Sequence, residues 1–164
     1  MPVIQERAFK EVPAHQAQPY SMTRRATRLA ELPSRKHLRV GLQLAGLTFV
    51  VGLYALTVVW PSGWVWHTGH TSHYLQMILG VYATLGVFLL IASRDPLANL
   101  SLIWFTVWSS VVHAGIMAVQ ALANPEHRGH LAGDVPALLI VAAALAILTR
   151  RATAATAFAD GKNV

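Results

Sequence analysis

Four apolar stretches, at residues 38–60, 72–92, 97–122 and 131–149, constrain this chain more than any other feature, because each is close to the length that carries a helix across a bilayer. About 20 residues rising about 1.5 Å each cover the roughly 30 Å of hydrocarbon. Between the stretches stand Pro61-Ser62-Gly63, the tight Ser93-Arg94-Asp95-Pro96 sequence and a polar segment at 124–130, all of them helix breakers. Charged residues make up 12% of the chain and apolar ones 54%, whereas a soluble domain is about a quarter charged. The chain is therefore expected to be all-α: an integral membrane four-helix antiparallel bundle over residues 37–150. A mobile polar tail at 1–36 precedes it, and a short tail at 151–164 comes after it.

Lys and Arg set the orientation of such a bundle, since cytoplasmic flanks hold their excess. Twelve of the 13 basic residues lie in the N-terminal tail, at the start of the first stretch, at Arg94, or in the C-terminal tail; Arg128 alone lies on the other side. Both termini are thus expected in the cytoplasm, with Trp60, Trp64, Trp66 and Tyr74 at the outer interface. The first stretch begins too far in, and is too long, to be a cleaved leader. In the tail, Met22, Ala26 and Leu29 recur at helical spacing beside Arg24, Arg25 and Arg28, a pattern that suits either a helix lying on anionic lipid or a solvated segment whose arginines fix topology. Translation from Met22 instead of Met1 would still leave all four stretches. The net charge of +6 has no amphipathic face with interleaved aromatics, so nucleic acid is not an expected partner.

Small residues at Gly41, Ala45, Thr48, Gly52 and Ala55 are spaced to share one face of the first helix, where they would let a neighbouring backbone approach. Alanines crowd residues 137–146. Pro136 falls early in the fourth stretch, where a missing amide costs least. Trp104 and Trp108, four apart, are expected to be packing or lipid contacts before any pigment or quinone site.

The chemistry-bearing residues are histidines. With no cysteine in the chain, there is no thiolate ligand, nucleophile or disulfide. His67, His70 and His73 precede or open the second stretch, and His127 and His130 precede the fourth, with Asp134 four residues beyond His130. Imidazole is the commonest metal ligand, and two or three of these with one carboxylate make a set that suits Zn²⁺ or Cu²⁺. The alternative is a group of solvated interfacial histidines. His113 differs because it lies inside the third stretch. Thr106, Ser109 or Ser110, Met117 and Gln120 would form a semi-polar stripe with it, opposite which the second could offer His73, Met77, Gly80 and Thr84. An ionisable group in hydrocarbon faces the bundle interior and has a partner, so His113 is a candidate cofactor residue or a hydrogen-bonding one. A bis-histidine haem is disfavoured, because His113 lies roughly 10 Å deeper than His73 at a rise of 1.5 Å per residue. No Gly-rich phosphate loop, His-Glu-x-x-His pair or acid/base carboxylate pair is present, so no enzyme is indicated.

Residues 94–97, 101–115 and 129–136 (Arg94-Asp95-Pro96-Leu97; the run from Ser101 through Trp104, Trp108 and His113 to Gly115; Gly129-His130-Leu131-Ala132-Gly133-Asp134-Val135-Pro136) resemble a family of short bacterial inner-membrane proteins of unknown function. The resemblance covers about residues 60–150, implies four helices in a bacterial inner membrane, and carries over no catalytic residue. The architecture is also similar to that of DoxX-like membrane proteins, which implies respiratory or redox partners without fixing a function. The leading expectation is a non-catalytic membrane protein with a periplasmic-side site of His70, His73, His130 and Asp134, and more remotely His67 and His127, for copper or zinc. The alternative is an accessory subunit of a larger respiratory or photosynthetic membrane complex, or a homo-oligomer, docking through the small-residue stripe and the Trp104–Trp108 face. A haem, pigment or quinone protein built on His113 comes third.

Overall fold

A computed structural model of the chain describes residues 32–61 and 73–161, and every regular element among them is helical. The tail up to residue 31, with the surface helix expected around Met22, lies outside the described residues, as does the segment carrying Trp64, Trp66, His67 and His70. Helix α1, Pro33–Val59, opens with a proline where its missing amide removes no helical bond, and the Arg35 and Lys36 amides close the first turn on the Leu32 carbonyl. Helix α2, His73–Ala92, leads through a tight turn and the 3-10 segment Pro96–Asn99 into α3, Leu100–Ala123. A second 3-10 segment, Pro125–Leu131, precedes α4, Asp134–Gly161. Pro136 sits in the first turn of α4, where it breaks no bond, and α4 runs on past Thr149 through Arg150 and Arg151.

All four helices are long and apolar enough to cross a membrane. Their outward faces agree: Leu44, Val51, Val81, Phe88, Phe105, Val112, Val119 and Ile140 are exposed, an apolar perimeter that would be a liability in water and is a requirement in lipid. The chain is a multi-pass four-helix membrane protein, its helices antiparallel in sequence order. His73, His127 and His130 mark one end of the bundle, the histidine end; Arg39, Arg94 and Arg150 mark the other, the basic end.

Helix α1 packs on α2 and on α4, α3 packs most extensively on α4, and α2 and α3 touch only sparsely despite their short connection. The main core joins Leu38, Leu42, Ala45, Phe49 and Leu53 of α1 to Leu89 of α2, Ile103 and Val107 of α3, and Ala142, Leu145 and Ala152 of α4.

The small-residue stripe does not survive as one face. A π-helical turn at Thr48–Gly52 winds an extra residue into α1 and rotates the remainder of the helix about its axis. Gly41 faces Leu148 of α4 and Ala45 is buried, whereas Thr48 and Ala55 turn outward. A close helix approach uses a pair that the stripe omitted: Gly46 of α1 and Gly86 of α2, where a Cβ on either would meet the other's carbonyl oxygen within 3 Å. Gly41 and Ala45 of the stripe expected for docking are thus taken up inside the bundle.

Candidate functional site

The ionisable groups inside the bundle, His113, His130 and Asp134, lie toward the histidine end, and local chain geometry puts them there. After Ala123 the backbone turns extended at Asn124, whose side-chain amide donates to the Gln120 carbonyl. Pro125 then starts a 3-10 segment that packs back against α3, and the Ala132 and Gly133 amides end it by bonding to Gly129 and His130 carbonyls. Helix α4 consequently begins well inside the bundle. Its Val135 and Leu138 pack on Ala114 and Met117 of α3, together with Tyr82 of α2; Ala114 lies nine residues before the end of α3, about 13 Å along the axis.

This fold-back buries His130 and Asp134, which the sequence places near the membrane surface. His130 is 1% exposed and Asp134 5%, and His130 Nδ1 stands 2.7 Å from Asp134 Oδ2. With the carboxylate ionised, the imidazole N–H is the donor, and 2.7 Å is the length of a charge-assisted bond. Asp134 also occupies the first turn of α4, where the helix dipole favours negative charge. The His127 ring lies 6.0 Å from the His130 ring, centroid to centroid, at 61°. His73, the first residue of α2, is exposed. Of the residues proposed as metal ligands, the structure brings together His127, His130 and Asp134. His67 and His70 lie outside the described residues, and no group of three or more His, Asp or Glu placed to hold a metal ion occurs among those that are described.

One layer further in, His113 of α3 is half-buried and stands edge-on to Tyr82 of α2, with ring centroids 5.7 Å apart and planes at 85°. Tyr82 in turn makes an edge contact with Phe49 of α1 at 5.1 Å. The Asp134 carboxylate is within electrostatic reach of both Tyr82 and His113. Below them Ser110 is 1% exposed and its hydroxyl has no hydrogen-bond partner among the described residues; the buried Thr106 hydroxyl donates to the Leu102 carbonyl.

The α3 stripe is thus present from Thr106 to Met117, but Gln120 is exposed and leaves it. The α2 residues expected opposite it are not there. Met77 is 62% exposed, Gly80 has open space where a side chain would be, and the Thr84 hydroxyl, also exposed, turns back to the Gly80 carbonyl. Tyr82 was missed. The available signal was a lone phenol in the middle of an apolar helix, where its hydroxyl forces it away from lipid.

The tryptophans divide as well. Trp104 packs against the main core with the Arg150 guanidinium 5.9 Å from its ring centroid, while Trp108 is 63% exposed on the perimeter.

A model of a family of unknown function matches residues 33–163, a wider span than the resemblance read from residues 60–150, because it takes in all of α1. No curated protein and no solved structure matches the chain.

Proposed function

The chain belongs to the family of unknown function DUF6632, and since that membership brings no activity with it, we propose from the His130–Asp134 pair that this is a non-catalytic membrane protein binding a copper or zinc ion at its histidine end. The observation that carries this reading is the buried 2.7 Å contact between His130 Nδ1 and the Asp134 carboxylate. A metal-ligating imidazole characteristically gives its other nitrogen to a carboxylate, which fixes the tautomer and raises ligand basicity. Asp134 is then a positioning residue that aims His130 Nε2, and the ligand is the imidazole.

His127 supports a second ligand. Two imidazoles on one ion with metal–nitrogen bonds of about 2.0 Å bring their ring centres to about 5 Å, and the 6.0 Å between His127 and His130 would need a rotation of the His127 side chain to close. The remaining ligands are assigned to His70 and His67, with His73 at the start of α2. His113 stands behind the pair against Tyr82 as a half-buried polar neighbour. From the histidine end the polar groups extend inward to Thr106; Ile103, Leu145, Leu42 and Leu89 then form an apolar layer that separates them from the buried Ser93 and Thr149 at the basic end. That layer favours a site loaded from one side over a conducting path.

The test is elemental analysis and calorimetric titration of the full chain, purified in mild detergent, with Zn²⁺ and Cu²⁺. Wild type is expected to bind stoichiometrically, and His127→Ala and His130→Gln to lose the ion. Asp134→Asn, which keeps an acceptor for the imidazole, is expected to weaken binding about 10–100-fold. Wild-type affinity in all three folded variants would refute the reading.

A further inference from the structure

The opposite end of the bundle holds a second feature with chemistry of its own. Arg35, Lys36, Arg39, Arg94, Arg150 and Arg151 all lie there, and none forms an ion pair among the described residues, where the one such pair is His130 with Asp134. Asp95, which is exposed, lies in the turn beside Arg94, one of the six cations.

They converge on one level. Gly41 of α1 faces Leu148 of α4, and Leu38 shares the core with Ala152, so the antiparallel register puts Arg39 beside Arg150 in depth. Arg39 Nη2 donates to the Arg94 carbonyl oxygen at 3.2 Å, which ties the α2–α3 turn to the same level. Arg150 is seated over the Trp104 ring.

A charge that serves only to set topology needs no fixed position. Here two guanidinium groups are held by contacts to the fold, one of them over the part-buried Trp104 ring, a residue type that favours the membrane interface. A guanidinium also offers paired N–H donors that match phosphate oxygens, and unpaired cations flanking membrane helices are drawn to anionic headgroups.

We propose that this collar, centred on Arg39 and Arg150, binds the phosphate of anionic phospholipid headgroups. The proposal is independent of the metal site. It is tested with the full chain in lipid nanodiscs of phosphatidylglycerol mixed with phosphatidylcholine, by counting the lipids that co-purify on release into detergent and are seen by native mass spectrometry. Wild type is expected to retain phosphatidylglycerol in preference to phosphatidylcholine. Arg39→Gln with Arg150→Gln is expected to lower that preference about twenty-five-fold, taking roughly fivefold for each cation removed near the surface. Arg128→Gln, at the histidine end, is expected to leave it unchanged. Equal retention of the two lipids by wild type overturns the proposal without any variant, and so does an Arg128→Gln loss as large as that of the double variant. Displacement of the lipid by millimolar inorganic phosphate would overturn it in favour of a free-phosphate site.

Discussion

Replacing Gly86 by alanine tests the helix packing directly. An added Cβ would lie 2.6 Å from the Gly46 carbonyl oxygen, about 0.8 Å short of the 3.4 Å at which ordinary contact begins, with Val50 Cγ2 at 2.9 Å and Phe49 Cβ at 3.0 Å. The nearest of these is backbone, so relief requires α1 and α2 to part. Overpacking that shifts backbone costs about 1–3 kcal/mol, against which alanine's helix preference over glycine returns up to about 1 kcal/mol. The net expectation is a loss of about 1–2 kcal/mol, read as a melting temperature lower by several degrees in mild detergent. Gly41→Ala is expected to cost less, because the atom it meets, Leu148 Cδ1 at 2.6 Å, is the end of a flexible side chain. Gly80→Ala and Gly115→Ala meet nothing within 4 Å and are expected to be neutral or slightly stabilising. A Gly86→Ala protein that melts with wild type would refute the close approach, and so would a Gly80→Ala protein that falls as far.

Ser110→Ala and Thr149→Val each remove a buried hydroxyl that lacks a partner among the described residues, and thermal unfolding is expected to show no loss, or a gain of up to about 1 kcal/mol; a loss above about 1 kcal/mol would reveal a hydrogen bond that the fold does not account for. If the apolar layer below Thr106 closes the bundle, proteoliposomes carrying the chain should pass protons and Zn²⁺ no faster than protein-free vesicles, and a flux above that background would refute a one-sided site.

The four spans were legible because hydrocarbon demands length and apolarity of every segment that crosses it, and both can be counted along the chain. The turns between the spans and the packing within them were less legible, for local reasons. Nothing in Thr48-Phe49-Val50-Val51-Gly52 announces a π turn, yet that turn decides which half of the small-residue stripe faces inward. A periodicity counted at 3.6 residues per turn loses its register wherever an extra residue is wound in. The Gly46–Gly86 contact joins different helices, and glycines on separate spans carry no mark of their pairing. Tyr82 and His113 meet because α2 is rotated about its axis away from the face that its small and polar residues suggested.

The candidate site shows the same limit more sharply. The i, i+4 spacing of His130 and Asp134 correctly places an imidazole beside a carboxylate, but a spacing says nothing about depth. Depth came from the segment between α3 and α4, which a sequence reading takes for a surface loop because it is polar. Pro125, with Gly129 and Gly133 beyond it, instead makes a compact 3-10 return that carries His130 and Asp134 into the bundle. Burial changes their chemistry. At an interface this pair would be worth little, since water competes for both partners. Enclosed at 1% and 5% exposure, the carboxylate must be met by a donor, and the imidazole is held in one tautomer and one orientation. Such rigidity costs a membrane protein the desolvation of two ionisable groups, and a bundle that needed only to fold would be at least as stable with apolar side chains at both positions.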